Sequence, residues 1–163
     1  MATVHLICGL PSAGKTTYAT ALKSSTSGVH FRLDHWLVTV YGHYAIDTVG
    51  HKEHVRRVEA CRTLIWEMAQ QFLRRQVDVI LDDGFFLHDH RLRYALLAEA
   101  INAECTIHLL NTPRPIIEAR LEKRNRNLPP DSFTITPARL DQFYALFEPP
   151  SPDDRLHVVE VGG

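Results

Sequence analysis

The chain has 163 residues, of which 45% are hydrophobic and 23% charged, and a formal net charge of −1. These values are typical of one globular domain, and the near-zero charge gives no general attraction to nucleic acid or to an anionic membrane. Because the sequence shows no signal peptide, no membrane-spanning stretch and only three isolated cysteines, we expect a single cytoplasmic domain over residues 1–163, without a disulfide framework.

Short apolar runs along the chain predict five β-strands. They are Thr3–Cys8, Val29–Leu33, Val77–Leu81, Cys105–Leu110 and Leu156–Val161. Helical patterns separate these runs, and strands that alternate with helices are typical of a parallel sheet. The sequence therefore predicts an α/β fold in which helices cover both faces of the sheet.

Apolar residues at three- and four-residue steps predict the helices. A stripe over residues 51–75 consists of Val55, Val58, Cys61, Ile65, Met68 and Phe72. A second helix is predicted over 89–102 from Leu92, Leu96 and Ile101.

Two Thr-Pro pairs predict the starts of the last helices. Thr112-Pro113 marks a helix that runs to about residue 124, and Thr136-Pro137 marks one that Pro149-Pro150 ends. The polar, proline-containing segment Asn125–Ser132 between them is predicted to be a mobile loop.

A complete G-x-x-x-x-G-K-[ST] motif follows the first strand and precedes a helical segment. Its backbone N–H groups and the N-terminal end of the helix attract phosphate oxygens. Lys15 reaches the β- and γ-phosphates, and the Thr16 hydroxyl ligates Mg²⁺. We predict that a nucleoside triphosphate is bound by Gly9, Leu10, Pro11, Ser12, Ala13, Gly14, Lys15, Thr16 and Thr17.

This motif, an Asp after each of the second and third strands, and arginines near residue 120 together resemble the small P-loop kinases. The resemblance covers nearly the whole chain and is strongest to the branch with polynucleotide 5′-hydroxyl kinases, zeta toxins and chloramphenicol phosphotransferase. It implies a three-layer P-loop NTPase fold, a five-stranded parallel sheet in the order 2-3-1-4-5, and ATP and Mg²⁺ as cofactors. It also implies a mobile lid at about 120–135 and an acceptor region at about 34–55.

Asp34 is the candidate general base, because it follows the second predicted strand and an Asp in this place activates the acceptor hydroxyl in the resembling kinases. The alternative is that Asp34 caps a short helix starting at His35. After the third strand, Asp82 matches the family's Mg²⁺-binding carboxylate better than Asp83, which can instead face the acceptor.

Arginines near the end of the predicted helix 113–124 resemble those of the kinase lids, which close over the phosphates. Arg120, Arg124 and Arg126 are the candidate lid residues, with Arg120 and Arg124 on one helical face. The alternative is a solvated basic helix end, favoured by the helix dipole. Arg91 and Arg93 are either surface residues or ligands for an anionic substrate group.

Two further patterns carry weaker hypotheses. The aromatic stretch 36–44 lies where the resembling kinases admit the acceptor, so it predicts either stacking on the acceptor or a helix packed on the core. The close histidine pairs, His51 with His54 and His88 with His90, lack a third ligand and do not predict a metal site.

These features lead to the hypothesis of an ATP- and Mg²⁺-dependent kinase with a hydroxyl of a small molecule as acceptor. Lys15, Asp34, Arg120 and Arg124 are the predicted catalytic residues, and Thr16 and Asp82 the predicted metal ligands. A polynucleotide 5′-hydroxyl kinase is an alternative that the net charge disfavours. A nucleotide-dependent switch or partner-binding module is the alternative of another class. The acceptor and the oligomeric state are not readable from the sequence.

Overall fold

A single five-stranded sheet forms the centre of the protein in the computed structural model, which describes residues 1–151 and 156–162. The strands are β1 (Thr3–Cys8), β2 (Val29–Arg32), β3 (Val79–Gly84), β4 (Glu104–Leu110) and β5 (His157–Val161). All neighbouring pairs are parallel, and the spatial order is β2-β3-β1-β4-β5. The α/β class and the strand order 2-3-1-4-5 are thereby confirmed.

Seven helices connect the strands within the described residues. They are α1 (Lys15–Thr26), α2 (Leu33–Tyr41), α3 (Ile46–Val49), α4 (His51–Leu73), α5 (His88–Glu99), α6 (Arg114–Arg126) and α7 (Pro137–Leu146). Thr136 caps α7 as predicted, since its side chain accepts a hydrogen bond from the Arg139 N–H at 3.2 Å. In the part of the chain that the structure describes, no helix is both long and apolar enough to cross a bilayer.

Two apolar layers sandwich the sheet. One face of the sheet packs on α2, α4 and α5, and the other on α1, α6 and α7. Alternation along β1 divides the layers, since Leu6 and Cys8 face the first and Ile7 faces the second. Because the strands are parallel, the carboxyl ends of β1, β2 and β3 lie side by side at the same end of the sheet.

Strand boundaries differ from the prediction at the two places that carry acidic residues. β2 ends at Arg32, whose register partner is Asp82, and Leu33 already begins α2. β3 starts at Val79 and continues to Gly84, whose carbonyl accepts a hydrogen bond from the Gly9 N–H at 3.0 Å. Asp34 therefore lies in the first turn of a helix, while Asp82 lies within a strand.

The predicted helix stripes are only partly correct. In α4 the buried residues are Cys61, Ile65, Ala69 and Leu73, whereas Val55 and Met68 are exposed. The buried residues 61, 65 and 69 recur every four positions, so they form one face of α4 toward the sheet. The small side chain of Ala69 lets the helix lie close to the sheet, and Met68 lies beside this face.

The stripe predicted for α5 is wrong. Leu92 and Leu96 are exposed, and the face toward the sheet carries Arg91, Tyr94 and Ala98. Arg91 is fully buried because its guanidinium donates hydrogen bonds to the carbonyls of the residues that follow β3, as described below. A rule based on apolar residues alone assigns such a position to the surface.

The cap predicted for α6 is also wrong. Pro113 occupies the N-cap position, and no side chain caps the helix. The Thr112 hydroxyl instead donates a hydrogen bond to the carbonyl oxygen of Ala13 at 2.8 Å. The residue predicted to cap α6 thus joins that helix to the glycine-rich loop.

A chain of polar side chains crosses the layer on one side of β1 and β4. Tyr18 Oη lies 2.8 Å from His108 Nδ1, His108 Nε2 lies 2.9 Å from His5 Nδ1, and His5 Nε2 lies 3.6 Å from a carboxylate oxygen of Asp78. One orientation satisfies every contact: Tyr18 donates to His108, His108 donates to His5, and the His5 N–H faces Asp78. Both histidines are neutral in this arrangement.

Acid is expected to destabilise the protein through this chain. Burial, aided by the neighbouring His5 and His157, lowers the pKa of His108 to about 4, whereas the unfolded chain takes up the proton near pH 6.5. The stabilisation that depends on a neutral His108 is therefore complete above pH 6.5. As the pH falls it is lost, so the free energy of unfolding decreases by about 2 kcal/mol between pH 7 and pH 5. Urea unfolding at pH 7 and pH 5 measures this loss of stability. If the His108→Asn variant lost as much stability between the two pH values as the wild type, His108 would not be its cause.

Candidate active site

The segment Gly9–Thr16 forms a loop that joins β1 to α1. The Ala13 N–H donates to the Leu10 carbonyl at 3.2 Å, which closes the turn. Gly14 has φ +101°, a conformation that L side chains rarely adopt, and an added Cβ would lie 3.5 Å from an arginine nitrogen of Arg120. Ser12 has φ +61°, so the loop holds a non-glycine residue in the left-handed region as well.

Lys15 and Thr16 open α1 and reach back across the site. Lys15 Nζ donates to the Leu10 carbonyl at 2.8 Å, and Thr16 Oγ1 donates to Asp82 Oδ2 at 2.7 Å. Burial lowers the pKa of Lys15 from its ordinary value, while Asp82 and Asp34 act in the opposite direction. The ammonium group is therefore held against the Leu10 carbonyl of its own loop.

The two acids at the end of β3 have separate surroundings, because successive residues of a strand point to opposite faces. Asp82 lies beside Thr16, with His30 Nε2 3.4 Å from its Oδ2. Burial alone would raise the pKa of Asp82, but the adjacent His30 imidazole, the charge of Lys15 and the hydrogen bond from Thr16 hold it below its usual range. Asp82 thus remains a carboxylate next to the phosphate loop.

Asp83 faces α4 instead. Arg62 grips it with two hydrogen bonds, from Nε to Oδ2 and from Nη2 to Oδ1, each 2.7 Å long. Such a bidentate fork fixes a carboxylate in geometry and charge. The structure therefore places Asp82, and not Asp83, in contact with Thr16.

Asp34 lies in the first turn of α2, and Arg32 occupies the N-cap position of that helix without a side-chain cap. Asp34 is exposed to solvent. Desolvation by surrounding protein atoms raises the pKa of Asp34 to about 6, against the opposing charges of Lys15 and Arg124. Asp34 and Lys15 both lie in the first turn of a helix that follows a strand, at the carboxyl ends of β2 and β1.

The predicted lid arginines are divided between the site and solvent. Arg120 donates to the Ala13 carbonyl at 3.3 Å, and Arg124 donates to the Phe133 carbonyl at 3.2 Å. Burial lowers the pKa of Arg124, and the charge of Asp34 opposes that effect. Arg126 points away and pairs with Glu122 on the same helix face.

The segment 127–136 after α6, here called the lid loop, packs on the region between α2 and α4. Phe133 makes edge contacts with His43 and Tyr44, at ring-centroid distances of 6.3 and 5.3 Å. His43 Nε2 lies 2.7 Å from the Pro130 carbonyl oxygen. Asn125 anchors the base of the loop through two hydrogen bonds to the backbone of Ile135.

Aromatic residues of the predicted acceptor region pack mainly on protein partners. The Arg57 guanidinium lies 4.9 Å from the Tyr41 ring centre and 4.6 Å from the Tyr44 ring centre, and Tyr44 Oη lies 2.9 Å from His54 Nδ1. Trp36 packs against the core at 6.4 Å from Phe31. These contacts agree with the packing alternative for the aromatic stretch.

The other candidate residues, Arg91, Arg93 and His90, lie on α5. Arg91 donates from Nη1 to the carbonyls of Phe85 and Phe86, at 3.0 and 3.2 Å, and so braces the turn after β3. Arg93 is mostly exposed, 3.5 Å from Glu59. His90 stacks on Phe85 at 4.7 Å.

Sequence reasoning missed several residues of the site. Arg62 was assigned no role, although it holds Asp83; its polar position on α4 was the only signal. Arg32 and Asp131 form an ion pair across 99 positions of sequence, which no local pattern indicates. Ser12 belongs to the motif, but its left-handed backbone is not evident from its residue type.

The loop and its neighbours fit a bound nucleotide and Mg²⁺. Ser12 Oγ is buried and has no hydrogen-bond partner among the described residues, a cost of about 1–3 kcal/mol that a phosphate oxygen would relieve. Thr16 Oγ1 and Asp82 Oδ2 are oxygen donors of the kind that Mg²⁺ takes when phosphates and water complete its shell. This donor set is too small for an all-protein metal site and suits a metal that arrives with phosphates.

Comparisons with known proteins agree with this architecture. Residues 4–150 match the family described as AAA domain. No curated protein matches the sequence at a significant level.

Several solved structures share the fold at low sequence identity. A Chloroflexus aurantiacus protein called a "putative kinase" has a TM-score of 0.77 at 16% identity, covering 99% of this chain and 88% of that one. Kti12 of Chaetomium thermophilum, in complex with ADP-AlF3, has a TM-score of 0.70 at 16% identity, and the match covers 98% of this chain and 88% of that one. A sugar kinase of Janibacter sp. HTCC2649 has a TM-score of 0.65 at 14% identity, and the match covers 99% of this chain and 86% of that one. The chain thus has a P-loop kinase-like fold.

Proposed function

We propose that this chain, which belongs to the AAA domain family, is an ATP- and Mg²⁺-dependent kinase that phosphorylates a hydroxyl group of a small molecule. The observation that carries this proposal is the position of Asp34, in the first turn of the helix after β2, at the same end of the sheet as the loop Gly9–Thr16 with its Lys15. A module that only binds nucleotide has no use for a base at this place. A phosphotransferase requires one next to the phosphate that is transferred.

The donor half of the site is the loop Gly9–Thr16 with its surrounding cations. Backbone N–H groups and Ser12 Oγ bind the triphosphate, and Lys15 leaves the Leu10 carbonyl to contact the terminal phosphates. Thr16 and Asp82 would hold Mg²⁺, and the ion would supply positive charge against the triphosphate. Arg120 lies against the loop at Ala13 and stabilises the same charge.

The acceptor half begins at Asp34. The acceptor oxygen forms a bond to the γ-phosphorus, the bond from that phosphorus to the β–γ bridging oxygen breaks, and the hydroxyl proton passes to the Asp34 carboxylate. Lys15 and Arg124, whose charges reach Asp34, offset the negative charge that accumulates between donor and acceptor. The products are ADP and a phosphate ester.

The named structural neighbours support this proposal at the level of class. The Janibacter protein is a sugar kinase, and the Kti12 structure holds ADP-AlF3. A chain with the same fold and a complete phosphate loop is consistent with a nucleotide donor. The neighbours do not identify the acceptor, which is proposed here only as a hydroxyl compound.

Transfer is expected to fall in mild acid, because Asp34 must be ionised to accept a proton. With a pKa of about 6, kcat/KM for the acceptor should be level above pH 7 and fall about tenfold per pH unit below pH 6. A steady-state profile at saturating MgATP from pH 5 to 8 measures it. A profile that stays level down to pH 5 would remove Asp34 as the base.

Two other functions are separated by simple assays. A polynucleotide 5′-hydroxyl kinase would label a 5′-hydroxyl oligonucleotide with phosphate from ATP, and the net charge of −1 disfavours this. A nucleotide-dependent switch would bind MgATP without transfer to any hydroxyl compound. The ionisable base beside Lys15 disfavours the switch.

A further inference from the structure

The Asp131 carboxylate of the lid loop contacts two side chains where β2 joins α2. Asp131 Oδ2 forms a close ion pair with Arg32 Nη2 and lies 3.6 Å from His35 Nδ1. Arg32 and His35 flank Asp34 in sequence, at the N-cap and in the first turn of α2. The Asp131 carboxylate therefore lies against a guanidinium and an imidazole, one on each side of the candidate base in the sequence.

This ion pair differs from the others near the acceptor region. Arg57 pairs with Glu53 one turn earlier on the same helix, Arg62 pairs with Asp83 and Glu59, and Arg93 lies near Glu59. In these pairs both partners belong to helices or to β3, so they are part of the framework. In the pair of Arg32 with Asp131, the carboxylate belongs to a loop and can leave without disturbing any helix or strand.

Arg32 also lies at the reacting edge of the sheet. Its register partner on the adjacent strand is Asp82, which accepts the hydrogen bond of Thr16. The ion pair of Arg32 and Asp131 is thus at the end of β2, and Asp82 is on the neighbouring strand β3. An anion bound by Arg32 and His35 would be held by residues that flank Asp34 in sequence.

Side-chain contacts hold the lid loop mainly at its C-terminal end. Arg124 and Asn125 bind the backbone of Phe133 and Ile135, and Phe133 packs on two rings. Nearer to Asp131, a hydrogen bond joins His43 to the Pro130 carbonyl. Arg32 retains 37% exposure of its side chain, and His35 retains 55%. Solvent and small solutes therefore reach the Arg32 guanidinium and the His35 imidazole once the Asp131 carboxylate moves.

We infer that Arg32 and His35 form an anion subsite for the acceptor, which Asp131 fills when no acceptor is bound. The acceptor is then a hydroxyl compound that also carries a carboxylate or a phosphate, and this anionic group displaces Asp131 and places the hydroxyl near Asp34. The assignment of the ligand as the acceptor rests on the proposed function. The existence of the subsite rests on the contacts of Asp131 alone.

Site-resolved NMR of this 18.6 kDa protein tests the subsite. Inorganic phosphate and acetate are titrated separately into the wild type and Asp131→Asn, while the Arg32 Nε–H and His35 ring resonances are followed. A tethered carboxylate competes at an effective concentration of about millimolar, so for a site of about millimolar intrinsic affinity its removal should tighten binding about twofold. Phosphate binding more tightly than acetate identifies a phosphorylated acceptor, and the reverse identifies a carboxylate.

Matched variants complete the experiment. Asp141→Asn is the control, because it removes the carboxylate that pairs with Arg114 on α6, an ion pair in which the lid loop takes no part. This variant should bind phosphate and acetate like the wild type. Arg32→Met combined with Asp131→Asn should abolish binding at His35. Equal affinity in the wild type and Asp131→Asn, or no response of Arg32 in either, would make the pair of Arg32 and Asp131 a purely structural contact and overturn the proposal.

The same spectra keep this inference apart from the proposed function. The Gly14 amide reports MgATP at the phosphate loop, independently of the Arg32 resonance. A silent Gly14 amide would refute the proposed function and leave the subsite intact. A responding Gly14 amide with a silent Arg32 would refute the subsite alone.

Discussion

Asp34→Asn is expected to lower phosphoryl transfer by about 10²- to 10⁴-fold, the usual contribution of a general base. The amide matches the carboxylate in size but cannot accept the proton of the acceptor hydroxyl. MgATP binding should be retained, because the loop contacts of Lys15 and Thr16 do not involve Asp34. Single-turnover transfer and calorimetric MgATP binding measure the two effects separately.

Asp47→Asn is the matched control for this substitution. Asp47 lies on α3 in the same region, with a side chain 96% exposed and 3.5 Å from Arg139, so its loss should leave transfer unchanged. Unchanged turnover in Asp34→Asn would exclude the base role. A fall in MgATP affinity parallel to the fall in transfer would instead make Asp34 a binding residue.

Lys15→Met is expected to lower transfer about 10²- to 10³-fold, as for the loss of one preorganised charge at a reacting centre. Methionine keeps the apolar stem but removes the only side-chain ammonium that contacts the loop within the described residues. Nucleotide binding should weaken too, since Lys15 contacts both ground state and transition state. Comparing kcat and KM for MgATP shows how the loss is divided.

Lys23→Met provides the control on the same helix. Lys23 lies in the last turn of α1, exposed and far along the helix from the loop. Its replacement should change neither kcat nor KM. Equal transfer by Lys15→Met and the wild type would show that the loop does not position the donor phosphates.

Most of the architecture was predictable because periodicity and short motifs are local signals. β1 has the predicted bounds, and the motif Gly9–Thr16 lies between that strand and a helix. The order of the strands came from the family resemblance, not from the residues, since pairing across a sheet leaves no local trace. Thr136-Pro137 marked the start of α7 correctly because a capping hydroxyl and a first-turn proline act within four residues.

The errors share one physical cause, which is that tertiary contacts decide them. Leu33 reads as the end of a strand but begins α2, where it and Leu37 pack on the core. Arg91 reads as a surface residue, yet it is buried, and its Nη1 donates to two backbone carbonyls after β3. The contact of Arg32 with Asp131 spans 99 residues and depends on where the lid loop returns.

The most direct measurement is transfer of ³²P from [γ-³²P]ATP to a panel of hydroxylated metabolites, antibiotics and 5′-hydroxyl oligonucleotides, with the wild type and Asp34→Asn side by side. The proposed function predicts a labelled phosphate ester of at least one small molecule, formed by the wild type and reduced by orders of magnitude in Asp34→Asn. Tight MgATP binding with no labelled acceptor, or equal labelling by both proteins, would contradict it.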